Sequence, residues 1–290
     1  MRPKGVSNPG FNPPVFEQAE LTDADFRKLS RLIYDKCGIC LSEGKEALVR
    51  SRLGKKIREG QFGSFRNYYQ HVINDTSGKA LVELLDSIST NFTSFFREEK
   101  HFEFLRSELL PELIDTKQDR DKTLRFWSAG CSSGEEPYSI AITLLETIKN
   151  PSAWDVKILA TDISTKVLGV AQSGVFRQDR VKAISRDLLK KYFLRGDRNW
   201  KDFVRVKDSL KQHIQFKRLN LVTPFSFNEP FDCIFCRNVM IYFDNKTRTD
   251  LVNRFCDCMA KGGAFLIGHS ESLNGIRHVF RYVKPAVYRK

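Results

Sequence analysis

The sequence predicts an α/β protein: a parallel sheet covered by helices, interrupted by a small antiparallel insertion and preceded by a small all-helical domain. Three observations carry this. Up to about residue 90 the apolar residues recur at helical spacing. From about residue 123 the pattern turns to strand, Gly-rich turn, helix, strand, which is the signature of a parallel sheet. Between about 174 and 217 that alternation breaks into short strand-like runs around polar turns.

Residues 1–19 contain Pro3, Pro9, Pro13 and Pro14 without periodicity, so a disordered tail is expected. Residues 20–89 form the expected helical domain. Its first helix lies in "LTDADFRKLSRLIYDKCGI", with Thr22 or Asp23 as cap and Phe26, Leu29 and Ile33 inward. "GKEALVRSRLGKKIREG", "SFRNYYQHVI" and "ALVELLDSIST" continue the pattern. On the second of these, Val49, Leu53 and Ile57 share a stripe, since successive residues turn by about 100°. Lys45, Arg52, Lys55 and Lys56 gather beside it. Two readings stay open for them: a solvated face, or a docking surface for an acidic partner.

Residues 90–122 form a linker, and 123–290 the α/β domain. "TLRFWSAG" reads as a strand, "CSSGEE" as a turn, and "PYSIAITLLETIK" as a helix with Pro137 in its first turn. "WDVKILATDIS" is the next strand and "TKVLGVAQSG" the next helix. The insertion follows, with "KKYFLR" and "DFVRV" as its short strands. "FDCIFCRNVMIYF" reads as a fully buried strand, and "TRTDLVNRFCDCMAKGG" as a helix stopped by glycine. "AFLIGHSES" and "RYVKPAVYRK" read as the last two strands.

Composition narrows the chemistry. A net charge of +13 favours an acidic partner: nucleic acid, an anionic membrane surface, or an acidic protein face. No apolar run approaches the ~18 residues of a membrane span, and a soluble cytoplasmic protein is expected. Seven cysteines include two CxxC pairs, Cys37/Cys40 and Cys233/Cys236. The second pair falls in a strand, where its thiols would face opposite sides. Reduced buried thiols are therefore expected rather than a metal.

Three places bear chemistry. The turn "SAGCSSGEEP" lets a ligand approach backbone at a helix start, but it is neither GxGxxG nor a Walker loop. Asp162 ends the second strand, roughly 30 residues later, where ribose hydroxyls are held in open α/β folds. A helix-capping role for Asp162 would suit its place before "ISTKVL" equally well. Arg237 and Asn238 directly follow a buried strand, where polar groups are costly unless satisfied.

"TNFTSFFREEKHF", "WSAGCSSGEEPYSIA", "ATDIS", Asn220–Leu221 and "FCRNVMIYFD" together resemble the CheR family, the chemotaxis receptor glutamate O-methyltransferases, in order and over residues 21–288. The resemblance implies a Rossmann-like, S-adenosylmethionine-dependent methyltransferase domain with an inserted antiparallel β-subdomain and a helical domain before it. It implies S-adenosyl-L-methionine as cofactor and S-adenosyl-L-homocysteine as product. By motif, cofactor contacts would fall on Asn91, Thr93, Arg97, Glu135, Asp162, Asn220, Leu221, Arg237 and Asn238. Arg97 and Tyr242 would act where the methyl group moves. The Phe-rich linker would cover the pocket, with Phe92, Phe95, Phe96 and Phe102 packed inward. Implied partners are the acidic cytoplasmic domains of chemoreceptors, docking on Lys45, Arg52, Lys55 and Lys56, and in some members a receptor tail peptide at the β-subdomain. Neither nucleic acid nor metal is implied. A nucleic-acid methyltransferase is the alternative the charge suggests, but "NPPV" lies in the tail and the relevant strand ends in "CRNV". A non-catalytic cofactor-sensing module is the other alternative, and Arg97 and Tyr242 speak against it.

Overall fold

The structure, a computed structural model, describes residues 20–89, 91–119 and 121–290; the tail expected at 1–19 lies outside the described residues. Four helices come first: α1 (Asp23–Cys37), α2 (Glu46–Glu59), α3 (Phe65–Asn74) and α4 (Lys79–Ile88). Thr22, not Asp23, caps α1, and its side chain accepts from the Asp25 N–H. The apolar stripes of all four helices meet in one core around Leu29, Ile33, Val49, Leu53, Phe65 and Leu84.

The linker carries α5 (Lys100–Phe104), a π-helical turn at Leu105–Leu109, and α6 (Leu110–Lys117). Pro111 cannot donate to the preceding turn, which accounts for the widened helix just before it. Then follow β1 (Thr123–Ala129), α7 (Glu135–Thr147), β2 (Asp155–Asp162) and α8 (Thr165–Ser173). The insertion contains β3 (Val175–Arg177), α9 (Arg186–Tyr192), β4 (Phe193–Arg195), β5 (Phe203–Val206) and α10 (Asp208–Lys211). The chain closes with β6 (Ile214–Arg218), β7 (Phe231–Cys236), α11 (Asn245–Asp257), β8 (Met259–Ile267), β9 (Arg281–Lys284) and β10 (Val287–Arg289).

The main sheet has the order β6-β2-β1-β7-β8-β10-β9, parallel through β8 and antiparallel at β10 and β9. A separate antiparallel sheet, β3-β5-β4, forms the insertion. Several boundaries differ from the sequence reading. β7 stops at Cys236 rather than running on to Phe243, and Met259–Gly263 open β8 rather than closing α11 at a glycine. Residues 214–217 belong to the main sheet: β6 pairs parallel with β2, and as a half-exposed edge strand it lacks the continuous apolar run of its buried neighbours. The C-terminal "RYVKPAVYRK" is a hairpin rather than one strand, turning at Pro285 and a left-handed Ala286. All six residues of β7 are buried, and Cys233 and Cys236 face different cores on its two sides.

The connection from β1 through α7 leads to β2 on one side, whereas β7 lies on the other side of β1. The strand order reverses there, so the carboxyl ends of β1, β2 and β7 open a crevice at a topological switch point. The helical domain sits over this edge. The Tyr34 hydroxyl donates to Asp244, the Asn220 amide donates to the Lys36 carbonyl, and the Cys40 N–H donates to the Tyr242 carbonyl.

Candidate functional site

A cavity of about 370 Å³ lies in this crevice, within the size range of ligand sites. It is lined from the α1–α2 connection by Cys40 and Lys45, and from the linker by Asn91, Phe92, Thr93 and Arg97. The strand ends contribute Gly130, Ser132, Asp162, Asn220, Leu221, Arg237, Asn238 and Tyr242. The chain thus brings together residues spread from 37 to 243.

The turn after β1 is built tightly. Gly130 is left-handed (φ +85°), and a Cβ there would lie 2.4 Å from a Val239 methyl. The Gly130 and Cys131 N–H groups both donate to the Thr161 carbonyl, tying the turn to the end of β2. Asp162 accepts from the Ser132 N–H and from the Ser164 N–H, each at 2.9 Å. Burial pushes its carboxyl up in pKa, while these backbone hydrogen bonds work in the opposite direction. Ser164, not Asp162, caps α8 with its side chain. An ionised carboxylate has about four acceptor positions, so Asp162 retains capacity toward the cavity.

The linker is fastened on both sides of the turn. The Ser132 hydroxyl donates to the Asn91 carbonyl, and the Phe96 N–H donates to the Ser139 hydroxyl. Phe95 and Phe102 are buried and Phe96 is half-buried. Phe92 overturns the expectation of inward packing: it is 74% exposed at the cavity mouth. Its carbonyl accepts from Arg97 at 2.9 Å, and the Arg97 guanidinium carbon lies 5.9 Å from its ring centre. Phe96 and Glu98 both adopt left-handed backbone, at a cost of about 1–2 kcal/mol each, so surrounding contacts hold this bend in place.

Arg237 and Asn238 find partners that the sequence did not suggest. Arg237 pairs with Glu98 and Glu136, each at 3.1 Å, and also donates to the Arg97 carbonyl. Burial raises the Glu136 pKa against the pull of Arg237. For Glu98 burial acts upward too, but Arg237 and the His269 N–H together hold it below its ordinary value. Asn238 is left-handed (φ +59°), and its N–H donates to Glu271, which also accepts from Val239 and Ile241. His101 lies buried beside Glu98; burial, then Arg237, push its pKa down to about 3. Glu98, His101 and His269 come close enough to ligate a cation together, but Glu98 already serves Arg237.

Two of the expected site residues have partners away from the cavity. Glu135 does not line the cavity: it is fully buried, accepts from the Ser133 hydroxyl, and is paired with Arg180. Its neighbour Glu136 lines the cavity instead. Arg180 reaches from the insertion and also donates to the Thr93 carbonyl at 3.0 Å; nothing in "QDRV" announces that role. On α2, Arg52 donates through Nη1 to the Ile88 and Ser89 carbonyls at the end of α4, which ties part of its guanidinium into the helical domain. Lys56 pairs with Glu83, Lys55 with Glu59 one turn on, and Lys45 stands on the cavity wall.

The profile described as "CheR methyltransferase, all-alpha domain" matches residues 24–89, and "CheR methyltransferase, SAM binding domain" matches residues 91–289. The chain is 43% identical over 273 residues to the chemotaxis protein methyltransferase of Borreliella burgdorferi, covering 93% of this chain and 95% of that protein. It is 40% identical over 280 residues to chemotaxis protein methyltransferase 2 of Pseudomonas aeruginosa, covering 95% and 96%. To the chemotaxis protein methyltransferase of Escherichia coli it is 37% identical over 274 residues, covering 94% and 92%. No helix among the described residues is long and apolar enough to cross a membrane.

Proposed function

The chain belongs to the CheR methyltransferase family, and from that premise we propose that it transfers a methyl group from S-adenosyl-L-methionine to glutamate side chains of chemoreceptors, forming methyl esters. The observation that carries this is the sharing of one cavity by Asp162, Arg97 and Tyr242. Asp162, with acceptor capacity left, suits a ribose diol, and Asn220, Leu221 and Asn238 complete the nucleoside side of the cavity. When bound, S-adenosyl-L-methionine supplies a methyl group on a sulfonium centre.

The residues of this chain have a limited task. A glutamate is already anionic at pH 7, so its activation requires no general base. Arg97 orients the incoming carboxylate through its remaining N–H donors, while one is held by the Phe92 carbonyl. Its grip has to stay loose, because a tightly bound carboxylate is a weaker nucleophile. Phe102 and Phe243 keep the cavity wall apolar and remove water from the reacting groups. Rate enhancement then comes from alignment and partial desolvation.

Receptor binding has a second candidate surface in the insertion. Leu194 and Trp200 are exposed beside a depression of about 420 Å³, and β4 is an edge strand of its sheet. A receptor tail can add there as a further strand, using main-chain hydrogen bonds along β4. The decisive experiment incubates the protein with methyl-labelled cofactor and candidate receptors, then treats the product with alkali. Volatile labelled methanol is expected, since esters hydrolyse in base. Arg97→Ala should lower the rate more than tenfold while retaining affinity for S-adenosyl-L-homocysteine. Alkali-stable label would overturn the proposal, and unchanged turnover in that variant would refute the role of Arg97.

A further inference from the structure

The covering segment keeps one aromatic ring outside its core. Phe92 is 74% exposed, whereas Phe95 is 1% and Phe102 0% exposed. Phe92 lines the mouth of the cavity with Arg97, whose guanidinium rests against its ring and donates to its carbonyl. A carboxylate arriving at Arg97 therefore passes the Phe92 ring. Lys45 adds a cation to the same lining. The mouth thus combines apolar and cationic groups, the complement of a segment that is both apolar and acidic.

We propose that Phe92 is a specificity-determining contact with the acceptor. It packs against an apolar side chain three or four positions from the target glutamate on a receptor helix. The inference rests on the proposed reading of the acceptor as a receptor glutamate, and deepens it. Helical residues three and four apart share a face. On a helical acceptor, the neighbour three or four positions from the glutamate faces the same rim as the glutamate. Lys45 then serves a second acidic group of the same segment.

The test compares wild type, Phe92→Ala and Phe92→Leu on a purified cytoplasmic receptor fragment. Steady-state methyl transfer gives KM and kcat for the fragment, and calorimetry gives Kd for S-adenosyl-L-homocysteine. Phe92→Ala should raise the fragment KM about tenfold with a smaller change in kcat, because the carbonyl that anchors Arg97 remains. Phe92→Leu should recover most of the loss. Nucleoside affinity should stay within about twofold in both variants, which also shows that they are folded. An unchanged KM, or a loss confined to nucleoside affinity, overturns the inference and leaves the methylation reading standing. If the wild-type chain labels no receptor fragment, the methylation reading fails and this inference falls with it.

Discussion

Asp162→Asn is the substitution whose consequences the geometry defines most fully. Each carboxylate oxygen of Asp162 accepts one backbone N–H, from Ser132 or Ser164, at 2.9 Å. Asparagine keeps one oxygen and places an NH₂ group against the other N–H. An unpaired buried donor costs about 1–3 kcal/mol. The change also removes a buried charge whose pKa burial has raised, which offsets part of that cost. The fold should therefore survive. Binding should not: a ribose diol loses a charged acceptor for one hydroxyl, worth about 1.5–3 kcal/mol, or roughly 10- to 150-fold in Kd. Calorimetry with S-adenosyl-L-homocysteine reads this directly, with urea unfolding run alongside to confirm the fold. A Kd within about threefold of wild type in a folded variant would refute the role of Asp162 in holding the nucleoside.

Gly38→Ala should loosen the seating of the helical domain. Gly38 is left-handed (φ +71°), and an added Cβ would lie 2.5 Å from a Val222 methyl. A drop of several degrees in Tm is expected in a thermal scan, with weaker nucleoside binding because the nearby Cys40–Tyr242 contact shifts. His101 predicts an acid-sensitive contribution to stability. Its folded pKa of about 3 lies below the ordinary value of 6.5, so between these limits the unfolded chain binds the extra proton. Stability from this residue is therefore full above about pH 6.5 and falls with decreasing pH, by at most about 1.4 kcal/mol per pH unit. Urea unfolding at several pH values should show a shallower acid slope in His101→Gln; an identical slope would contradict this. Reversing Lys55 and Lys56 to Glu should raise the receptor KM several-fold at low salt and much less at high salt. A salt-independent effect would argue against electrostatic docking through α2.

What the sequence made legible was local. The helical stripes of Val49, Leu53 and Ile57 and the buried run of "FDCIFC" are set by neighbours a few residues away, and the structure shows the same faces inside. Asp162 was placed at a strand end by the same kind of pattern. What stayed hidden depends on distant pairing. Arg237 meets Glu98 across 139 positions, and Arg180 meets Glu135 across 45. Periodicity carries no trace of such contacts. The motif therefore pointed to Glu135, whereas the first turn of α7 sends that side chain to Arg180 and leaves Glu136 at the cavity. The helical wheel left Arg52 open as a solvated or a docking charge, because the end of α4, which supplies its carbonyl partners, is 36 residues away. Phe92 failed for a related reason: composition predicts burial of an aromatic, yet this one stands at the rim of a cavity that only the assembled fold creates.

The central claim is that this one cavity orients a sulfonium nucleoside toward an incoming carboxylate, and a crystal structure with S-adenosyl-L-homocysteine tests it most directly. The ribose hydroxyls should lie within hydrogen-bond distance of the Asp162 carboxylate, with the sulfur facing Arg97 and Tyr242. A nucleoside bound elsewhere, or lying in the cavity with its sulfur turned away from those two residues, would contradict it.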